Sequence, residues 1–164
     1  MRDVCMTPIG TIFTPHTEAK KTPVQPRFAA ECPGTIEIDP AFAQGLQDIE
    51  CFSHIYVLFW LDRADAAQLM VKPFLQNAEH GVFATRAPCR PNPIGMSVVR
   101  LLRRDGNILH IAGADMLNGT PVLDIKPYCR RFDWVETTRD GWQNEVSEED
   151  AERLGRRGYV PPQP

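Results

Sequence analysis

Residues 96–114 read MSVVRLLRRDGNILHIAGA, a pattern that predicts an antiparallel hairpin. Two stretches rich in aliphatic residues, Met96 to Arg103 and Ile108 to Ala114, flank the tripeptide Asp105-Gly106-Asn107. These three residue types favour the positive φ angles of a tight turn, which joins neighbouring antiparallel strands. The segment therefore predicts two paired strands, and it favours an antiparallel sheet as the basis of the fold.

Further short strands are predicted on both sides of the hairpin. Ser53 to Leu61 is rich in β-branched and aromatic residues, which predicts a central strand buried on both faces. Three other segments have strand-like composition: Ile9–Phe13, Thr35–Ile38 and Pro121–Ile125. Because these strands do not alternate with helices, the sequence predicts a mainly β protein, a small antiparallel β-barrel with short helices and a short C-terminal tail.

The chain is predicted to divide into a barrel domain over residues 6–133 and a short acidic tail over residues 134–164. The proline-rich segment 15–34 predicts a long functional loop. Asp39-Pro40 predicts the start of a short helix that runs to about Leu46, with Asp39 as its N-cap. In the tail, Ser147 precedes three acids and begins a helix with arginines in its last turn.

Composition indicates the class of protein. The chain has 164 residues, 43% of them hydrophobic, and a net charge of −3, so it has enough apolar side chains for a core. It begins without an apolar targeting segment, and the apolar run Ile55 to Leu61 is too short to span a bilayer. The five cysteines include no C-x-x-C pair, which argues against a disulfide framework or a zinc site. We expect a cytoplasmic protein with no membrane partner and no metal.

Charge is unevenly distributed along the chain. The segment 86–104 contains five arginines and no acid, whereas 133–152 is strongly acidic. Two interpretations stay open: two solvated faces, or an arginine patch that faces the phosphates of a nucleic acid.

The segment 84–95, ATRAPCRPNPIG, contains more prolines and polar residues than packing requires. Its prolines fix φ and restrict the residues before them, so the backbone is stiff and holds Arg86, Arg90 and Asn92 at defined positions. The planar guanidinium of arginine donates two parallel N–H bonds, which suits a carboxylate or a phosphate. The segment predicts a binding site for an anionic group, with a rigid crossover whose arginines pair with acids as the alternative.

The second such segment is 113–128, GADMLNGTPVLDIKPY. Asp115 and Asn118 bracket the apolar pair Met116-Leu117 just before a turn. A planar ring would lie against the apolar side chains while the polar groups bind its edge or a ribose. The segment is typical of a nucleoside site, although Asn-Gly-Thr-Pro is also a common turn composition.

The two segments together resemble the hallmarks of the TrmO/TsaA-like (YaeB) family of tRNA methyltransferases, A-T-R-x-x-x-R-P-N-P-I-G and D-x-L-x-G-T-P-V-L-D-I-K-P-Y. The resemblance extends from about Ile9 to Asp133 and includes Gln25-Pro26-Arg27 and Phe52-Ser53-His54. It implies a small β-barrel that binds S-adenosylmethionine and works as a homodimer. The implied reaction is methylation of N6 of threonylcarbamoyl-adenosine next to the anticodon of tRNA.

The resemblance also implies where the cofactor binds. Carried over position by position, its contacts fall on eleven residues: Gln25, Pro26, Arg27, Asp62, Arg63, Arg86, Met96, Asp115, Met116, Leu117 and Asn118. The chemistry of the residues alone points to three of them, Arg86, Asp115 and Asn118. The family usually has aspartate before Gly-Thr-Pro, where this chain has Asn118, a side chain that is neither a base nor charged.

Methyl transfer to the substrate nitrogen requires a group that takes its proton. The candidates for this catalytic role are polar residues of the two segments: Asp115, Asn92, Lys126 and Tyr128, with Asp124 beside them. Asp124 and Lys126 alternate with apolar residues, so pairing on one strand face is an equal alternative for both. The proton acceptor therefore stays open. The sulfonium of the donor needs no metal to react.

Two other functions remain alternatives. A non-enzymatic RNA-binding barrel would use the arginines of 86–104, and it would be expected to carry aromatic residues there for base stacking, which this segment lacks. A methyltransferase acting on a non-tRNA substrate would keep the donor and change the acceptor. The glycine-rich loop of Rossmann-type methyltransferases is absent from the sequence, which argues against that fold and not against the reaction.

Overall fold

A computed structural model describes residues 4–160. Within that range the strands are β1 Gly10–Phe13, β2 Pro33–Ile38, β3 His54–Trp60, β4 Met70–Val71, β5 His80–Gly81, β6 Ile94–Asp105, β7 Ile108–Ala112 and β8 Thr120–Pro127. Six of them form a closed antiparallel barrel in the order β1-β2-β7-β6-β3-β8, and β4 and β5 form a separate two-stranded sheet. The prediction of a mainly β protein built on a small antiparallel barrel is confirmed.

The predicted hairpin is β6 and β7. Asp105 pairs with Ile108, and Gly106 adopts a φ of +60°, as a tight turn requires. The Asn107 side chain donates to the carbonyl of Ile38 at 2.6 Å, so the turn is also tied to β2. A bulge between Leu101 and Arg103 bends β6, which runs for 12 residues and pairs with β7 through its second half and with β3 through its first.

Strand β3 corrects one prediction. It pairs with β6 on one side and β8 on the other, but its burial alternates: Ile55, Val57 and Phe59 are buried, whereas Tyr56 and Leu58 are only partly covered. Burial on both faces was wrong because a closed barrel has one interior, so every second side chain points outward. The interior is filled by aliphatic side chains from all six strands, including Ile12, Ile36, Val99, Leu109 and Val122.

Short helices connect the strands. The predicted helix after Asp39 is a 3-10 helix, Pro40–Leu46, and Asp39 is its N-cap, accepting from the backbone N–H of Ala41 at 2.8 Å. The α-helices are α1 Arg130–Asp133 and α2 Glu148–Arg156. The other 3-10 helices are Ala19–Lys21, Pro26–Ala29, Ile49–Cys51, Val82–Ala84 and Gly141–Glu145. No helix within residues 4–160 has the length and apolar character needed to cross a membrane.

The C-terminal segment packs on the barrel domain. Ser147 caps α2 as predicted, accepting from the N–H of Asp150 at 3.1 Å. The N–H of Val24 donates to the carbonyl of Gly155 at 3.0 Å, and a Cβ at Gly155 would lie 2.5 Å from the Phe28 ring. Beyond α2, the Tyr159 ring packs edge-on against His16 and partly covers the core. The end of α2 and the residues after it therefore pack on the long loop 15–34.

Gly95 is required by close packing inside the barrel. It lies opposite the buried Phe59 on β3, and a Cβ at this position would stand 2.1 Å from the Phe59 ring. We expect Gly95→Ala to lower the free energy of unfolding by about 1–3 kcal/mol, because the ring has to move within a packed interior. Urea unfolding measures the change. Gly81→Ala is the matched control: its Cβ meets nothing within 4 Å and its φ is −58°, so a loss of the same size there would contradict this explanation.

Candidate functional site

A cavity of about 790 Å³ opens at the end of the barrel where β3 ends and β6 and β8 begin. Its walls come from the loop 15–34, the segment after β3, the predicted segment 84–95, and residues 115–117 after β7. A volume of this size is in the range of small-molecule and cofactor sites, which are concave and mostly apolar with a few polar groups. The cavity is therefore the candidate binding site.

The segment 84–95 is stiffened by its own hydrogen bonds. The buried Thr85 hydroxyl donates to the carbonyl of Val82 at 2.9 Å and accepts from the N–H of Ala87 at 3.2 Å. Arg90 donates to the carbonyls of Thr85 and Ala87, each at 3.2 Å, so its guanidinium stabilises the conformation of this segment. Arg86 instead extends from this braced loop and donates to the side-chain oxygen of Gln25.

Asp115 is held on the cavity wall by the segment that leads to it. Gly113, with a φ of +90°, turns the chain after β7, and its N–H donates to the carbonyl of Cys32 at 2.9 Å. His16 Nε2 donates to the carbonyl of Ala114 at 3.0 Å. The backbone that leads to Asp115 is therefore fixed by contacts with the loop 15–34.

The carboxyl of Asp115 is the most perturbed acid of the cavity. Burial raises its pKa to about 7, an increase that the hydrogen bond from Ser97 and the positive charge of Arg86 reduce. Ser97 Oγ donates to Asp115 Oδ1 at 2.7 Å and is itself 3% exposed. A carboxyl that titrates near neutral pH beside an arginine is suited to proton transfer or to binding a polar ligand group.

Most of the sequence-predicted residues lie together in this cavity. Nine positions assigned to the cofactor line it: Gln25, Arg27, Asp62, Arg63, Arg86, Met96, Asp115, Met116 and Leu117. The catalytic candidate Asn92 lines it as well. Met116 is 2% exposed and belongs mainly to the core, whereas Leu117 is partly exposed to the cavity. Asp62 and Arg63 are bonded to each other at 3.3 Å.

Five predicted residues lie outside the lining of the cavity, two assigned to the cofactor and three catalytic candidates. Pro26 and Asn118, assigned to the cofactor, are not among the lining residues. The Asn118 side chain accepts from the N–H of Thr14 at 3.1 Å, so it stabilises the turn. Lys126 lies towards the other end of β8 and Tyr128 directly follows that strand. Lys126 forms a salt bridge with Asp124 at 2.6 Å. That contact is the strand-face pairing left open for Asp124 and Lys126.

Some residues of the cavity were missed by sequence reasoning. Ser97 was detectable, because it is a polar residue at an inward position of β6, in line with the buried Val99 and Leu101. Three aromatic or cationic side chains had no local signal: Phe74, Trp142 and Arg157. Trp142 belongs to the C-terminal segment, and its indole N–H donates to the carbonyl of Ala84 at 2.9 Å. Residues 134–160 therefore contribute to the wall.

The arginines of 86–104 do not form one patch. Arg86 and Arg90 line the cavity. The other three lie further along β6, each in a salt bridge with an acid: Arg100–Glu31, Arg103–Asp105 and Arg104–Glu50. Exposed pairs of this kind contribute little stability, and they partly neutralise the positive charge of the strand.

The structure brings one cysteine and one histidine together. Cys32 Sγ lies 3.2 Å from His16 Nε2, and both residues are buried. Burial raises the pKa of Cys32 and lowers the pKa of His16, so both side chains are neutral near pH 7. A neutral buried pair of this kind is a packing contact. Within residues 4–160 no cluster of three or more His, Cys, Asp or Glu side chains is suited to hold a metal ion.

The cavity lies in a part of the chain that has known relatives. The sequence profile of the family described as "tRNA-methyltransferase O N-terminal domain" matches residues 11–134. A Pyrococcus abyssi protein named "Probable S-adenosyl-L-methionine-binding protein" is 52% identical over 139 residues, which are 85% of this chain and 76% of that protein. A Rattus norvegicus protein named "tRNA (adenine(37)-N6)-methyltransferase" is 35% identical over 133 residues, 77% of this chain and 31% of that protein.

A solved structure has the same fold. The crystal structure of TrmO from P. aeruginosa superposes with a TM-score of 0.72 at 39% identity, covering 86% of this chain and 62% of that chain. The chain therefore spans less than two thirds of that solved protein.

Proposed function

This chain belongs to the family of tRNA-methyltransferase O N-terminal domains, and we propose that it is an S-adenosylmethionine-dependent methyltransferase acting on N6 of threonylcarbamoyl-adenosine next to the anticodon of tRNA. The single observation that carries the proposal is the cavity in which Arg86 and Asp115 lie on walls fixed by hydrogen bonds to backbone groups. A cytoplasmic location, where tRNA is modified, is part of the same proposal.

The residues of the cavity fit the donor in three respects. Arg86 is a guanidinium with a neutral partner, Gln25, which suits the carboxylate of an amino-acid moiety. Met96 and Leu117 are partly exposed apolar side chains against which an adenine ring would lie. The third feature is the polar edge formed by Asp115 and Ser97, which suits the hydrogen-bonding groups of a nucleoside.

When bound, the donor supplies an activated methyl group on a sulfonium. The chain has to align the acceptor nitrogen, exclude water and take the proton that the nitrogen loses. Among the candidates named from the sequence, Asp115 is best suited to hold that proton, because it lines the cavity and its pKa is about 7. Asn92 also lines the cavity, but an amide is not a base. Lys126 and Tyr128 are too far along β8 to line it.

The names of relatives support tRNA as the acceptor. The rat relative is named as a methyltransferase of N6 of adenine 37 in tRNA, and the family description is that of a tRNA methyltransferase. The positively charged lining residues that have no salt bridge within residues 4–160, which include Lys72, Arg86 and Arg90, would favour a polyanionic substrate over a neutral one. A non-tRNA acceptor is the alternative, and a protein that binds the donor but methylates no tRNA would favour it.

Calorimetry with S-adenosylmethionine and with its demethylated product tests the donor half of the proposal. We expect both to bind with one site per chain, and to bind equally well in the presence of a chelator, because the sulfonium needs no metal. No heat of binding for either compound, or loss of binding after chelation, would contradict it.

We also propose that the protein is a homodimer. Leu69, which precedes β4, Met70 in β4 and Phe83 are exposed apolar residues whose segments are joined by the bond from the N–H of Val82 to the carbonyl of Leu69; Phe83 is 76% exposed and Leu69 is 68% exposed. An exposed patch of this kind beside a binding cavity suits a symmetric contact with a second copy. We expect sedimentation at micromolar concentration to give a dimer, and Phe83→Glu to give a monomer. Phe132→Glu, equally exposed on α1, is the control; a monomeric wild-type protein would contradict the proposal.

A further inference from the structure

Arg157 is an arginine of the cavity that comes from the C-terminal segment. It follows α2 directly and lines the same cavity as Arg86 and Asp115. The family profile matches residues 11–134, so Arg157 lies outside the residues that the profile matches. Its presence in the cavity follows from the packing of α2 against the loop 15–34.

The side chain of Arg157 has a fixed position. Its backbone is in the left-handed region, with a φ of +51°, and Gly158 continues the turn with a φ of +80°. On either side the chain is anchored, by the bond from Val24 N–H to the Gly155 carbonyl and by the packing of Tyr159 on His16. The guanidinium itself lies 3.9 Å from the centroid of the Phe74 ring. Stacking on an aromatic ring orients the donors of a guanidinium in one plane.

The neighbouring arginines are neutralised and Arg157 is not. In α2, Arg153 bonds Asp150 at 2.6 Å and Arg156 bonds Glu152 at 2.5 Å. Across residues 4–160, Arg157 has neither a salt bridge nor a side-chain hydrogen bond to an acid, although it is partly buried. Burial lowers the pKa of Arg157, since desolvation disfavours the charged guanidinium. An anionic ligand would offset that desolvation.

We propose that Arg157 binds an anionic group of the methyl acceptor, through two parallel N–H donors of its guanidinium. The inference rests on the proposed function, which assigns Arg86 to the carboxylate of the donor and leaves Arg157, a lining arginine with no acidic partner among residues 4–160, for the acceptor. Threonylcarbamoyl-adenosine offers such a group, because threonine is joined through its amine and keeps a free carboxylate. The backbone phosphates of the RNA are the other source of the same chemistry.

Arg157→Gln removes the positive charge and keeps a long polar side chain. Arg157→Lys keeps the charge but lacks the planar guanidinium. Arg153→Gln is the matched control, because it removes an exposed arginine of the same helix that does not line the cavity. Each protein is given S-adenosylmethionine and an anticodon stem-loop RNA in two forms, one with threonylcarbamoyl-adenosine and one with its threonine carboxylate converted to the amide. The readouts are kcat/KM for methylated product, RNA affinity by anisotropy with the demethylated donor present, donor affinity by calorimetry, and the melting temperature.

We expect Arg157→Gln to lower kcat/KM and RNA affinity by about 10- to 100-fold, Arg157→Lys to recover part of the loss, and donor affinity to be unchanged. If the anion is the threonine carboxylate, wild-type protein discriminates against the amide RNA and Arg157→Gln does not. If the anion is a phosphate, Arg157→Gln lowers the affinity for both RNAs equally. The number of counterions released on binding, measured from the salt dependence, then falls by about one.

Two results would overturn the inference while the proposed function stands. In the first, Arg157→Gln is as active as the control Arg153→Gln. In the second, Arg157→Gln binds S-adenosylmethionine more weakly but binds RNA as well as the wild-type protein does. The second would assign the guanidinium to the carboxylate of the donor. Wild-type protein that methylates neither RNA would refute the proposed function, and the inference would fall with it.

Discussion

Asp115→Asn is expected to slow methyl transfer by about 10²–10⁴-fold, because the amide keeps the shape of the carboxyl but does not accept a proton. Ser97 still finds an oxygen to bond, so the cavity should keep its form. Single-turnover measurement with saturating donor isolates this step. Asp62→Asn is the control, since Asp62 is a more exposed acid of the same cavity that is paired with Arg63. Equal losses in the two variants would contradict a special role for Asp115.

The pH dependence of the same reaction carries an independent test. Because the pKa of Asp115 is raised to about 7, the rate of the wild-type protein should increase with pH through about 7 and level off above it, as expected for a base. Asp115→Asn should lack this inflection. A wild-type profile that is flat between pH 5.5 and 8.5 would exclude Asp115 as the group that takes the proton.

Stability should change with pH in the opposite direction. The pKa of Asp115 is higher in the folded chain than its ordinary value of 3.8, so the native state binds this proton more tightly than the unfolded state. Its contribution to the free energy of unfolding is therefore greatest below pH 4 and is lost as pH rises to about 7. Asp115→Asn removes that loss, so the variant should gain stability relative to wild type at pH 8. Together, lower activity and higher stability at pH 8 would separate a catalytic loss from damage to the fold.

The second large effect is expected from Arg86→Ala, which should weaken S-adenosylmethionine binding by about 1.5–3 kcal/mol, roughly 10- to 100-fold. Arg86 is exposed and its only side-chain partner in the described chain is the neutral Gln25, so its removal should leave the melting temperature nearly unchanged. Calorimetry measures the donor affinity. Arg100→Ala, which removes an arginine paired with Glu31 away from the cavity, should leave it unaltered. Unchanged affinity with a lower melting temperature for Arg86→Ala would favour a structural role instead.

The parts of the fold that depend on contacts between residues close in sequence were predictable, and those that depend on distant residues were not. The hairpin of β6 and β7 was predictable because a turn with Gly106 and two aliphatic strands are local features. The burial of β3 was not, because Tyr56 and Leu58 are apolar enough to suggest a second buried face, whereas they lie on the outer face of the barrel. The closure of β8 on β1 joins residues more than 100 positions apart, and no local pattern encodes it.

The residues of the cavity also differ in whether the local sequence predicts them. Arg86 and Asp115 were predictable because each belongs to a segment whose prolines, glycines and polar residues exceed what packing needs. Asn118 stood out for the same reason but bonds the backbone of Thr14, since asparagine in a turn has two uses that the sequence does not distinguish. Arg157 reaches the cavity only because α2 packs on the loop 15–34, a contact across more than 120 residues of chain.

The central claim, transfer of a methyl group from S-adenosylmethionine to threonylcarbamoyl-adenosine in tRNA, is tested most directly by the identity of the product. Purified protein is incubated with donor carrying a labelled methyl group and with two tRNAs that differ only in the base next to the anticodon, threonylcarbamoyl-adenosine or plain adenosine; each tRNA is then digested to nucleosides and analysed by mass. We predict a labelled, singly methylated threonylcarbamoyl-adenosine from the first tRNA and little label in the second, whose base lacks the carbamoyl contacts. Equal labelling of both tRNAs, or label in neither while the donor still binds, would contradict the claim.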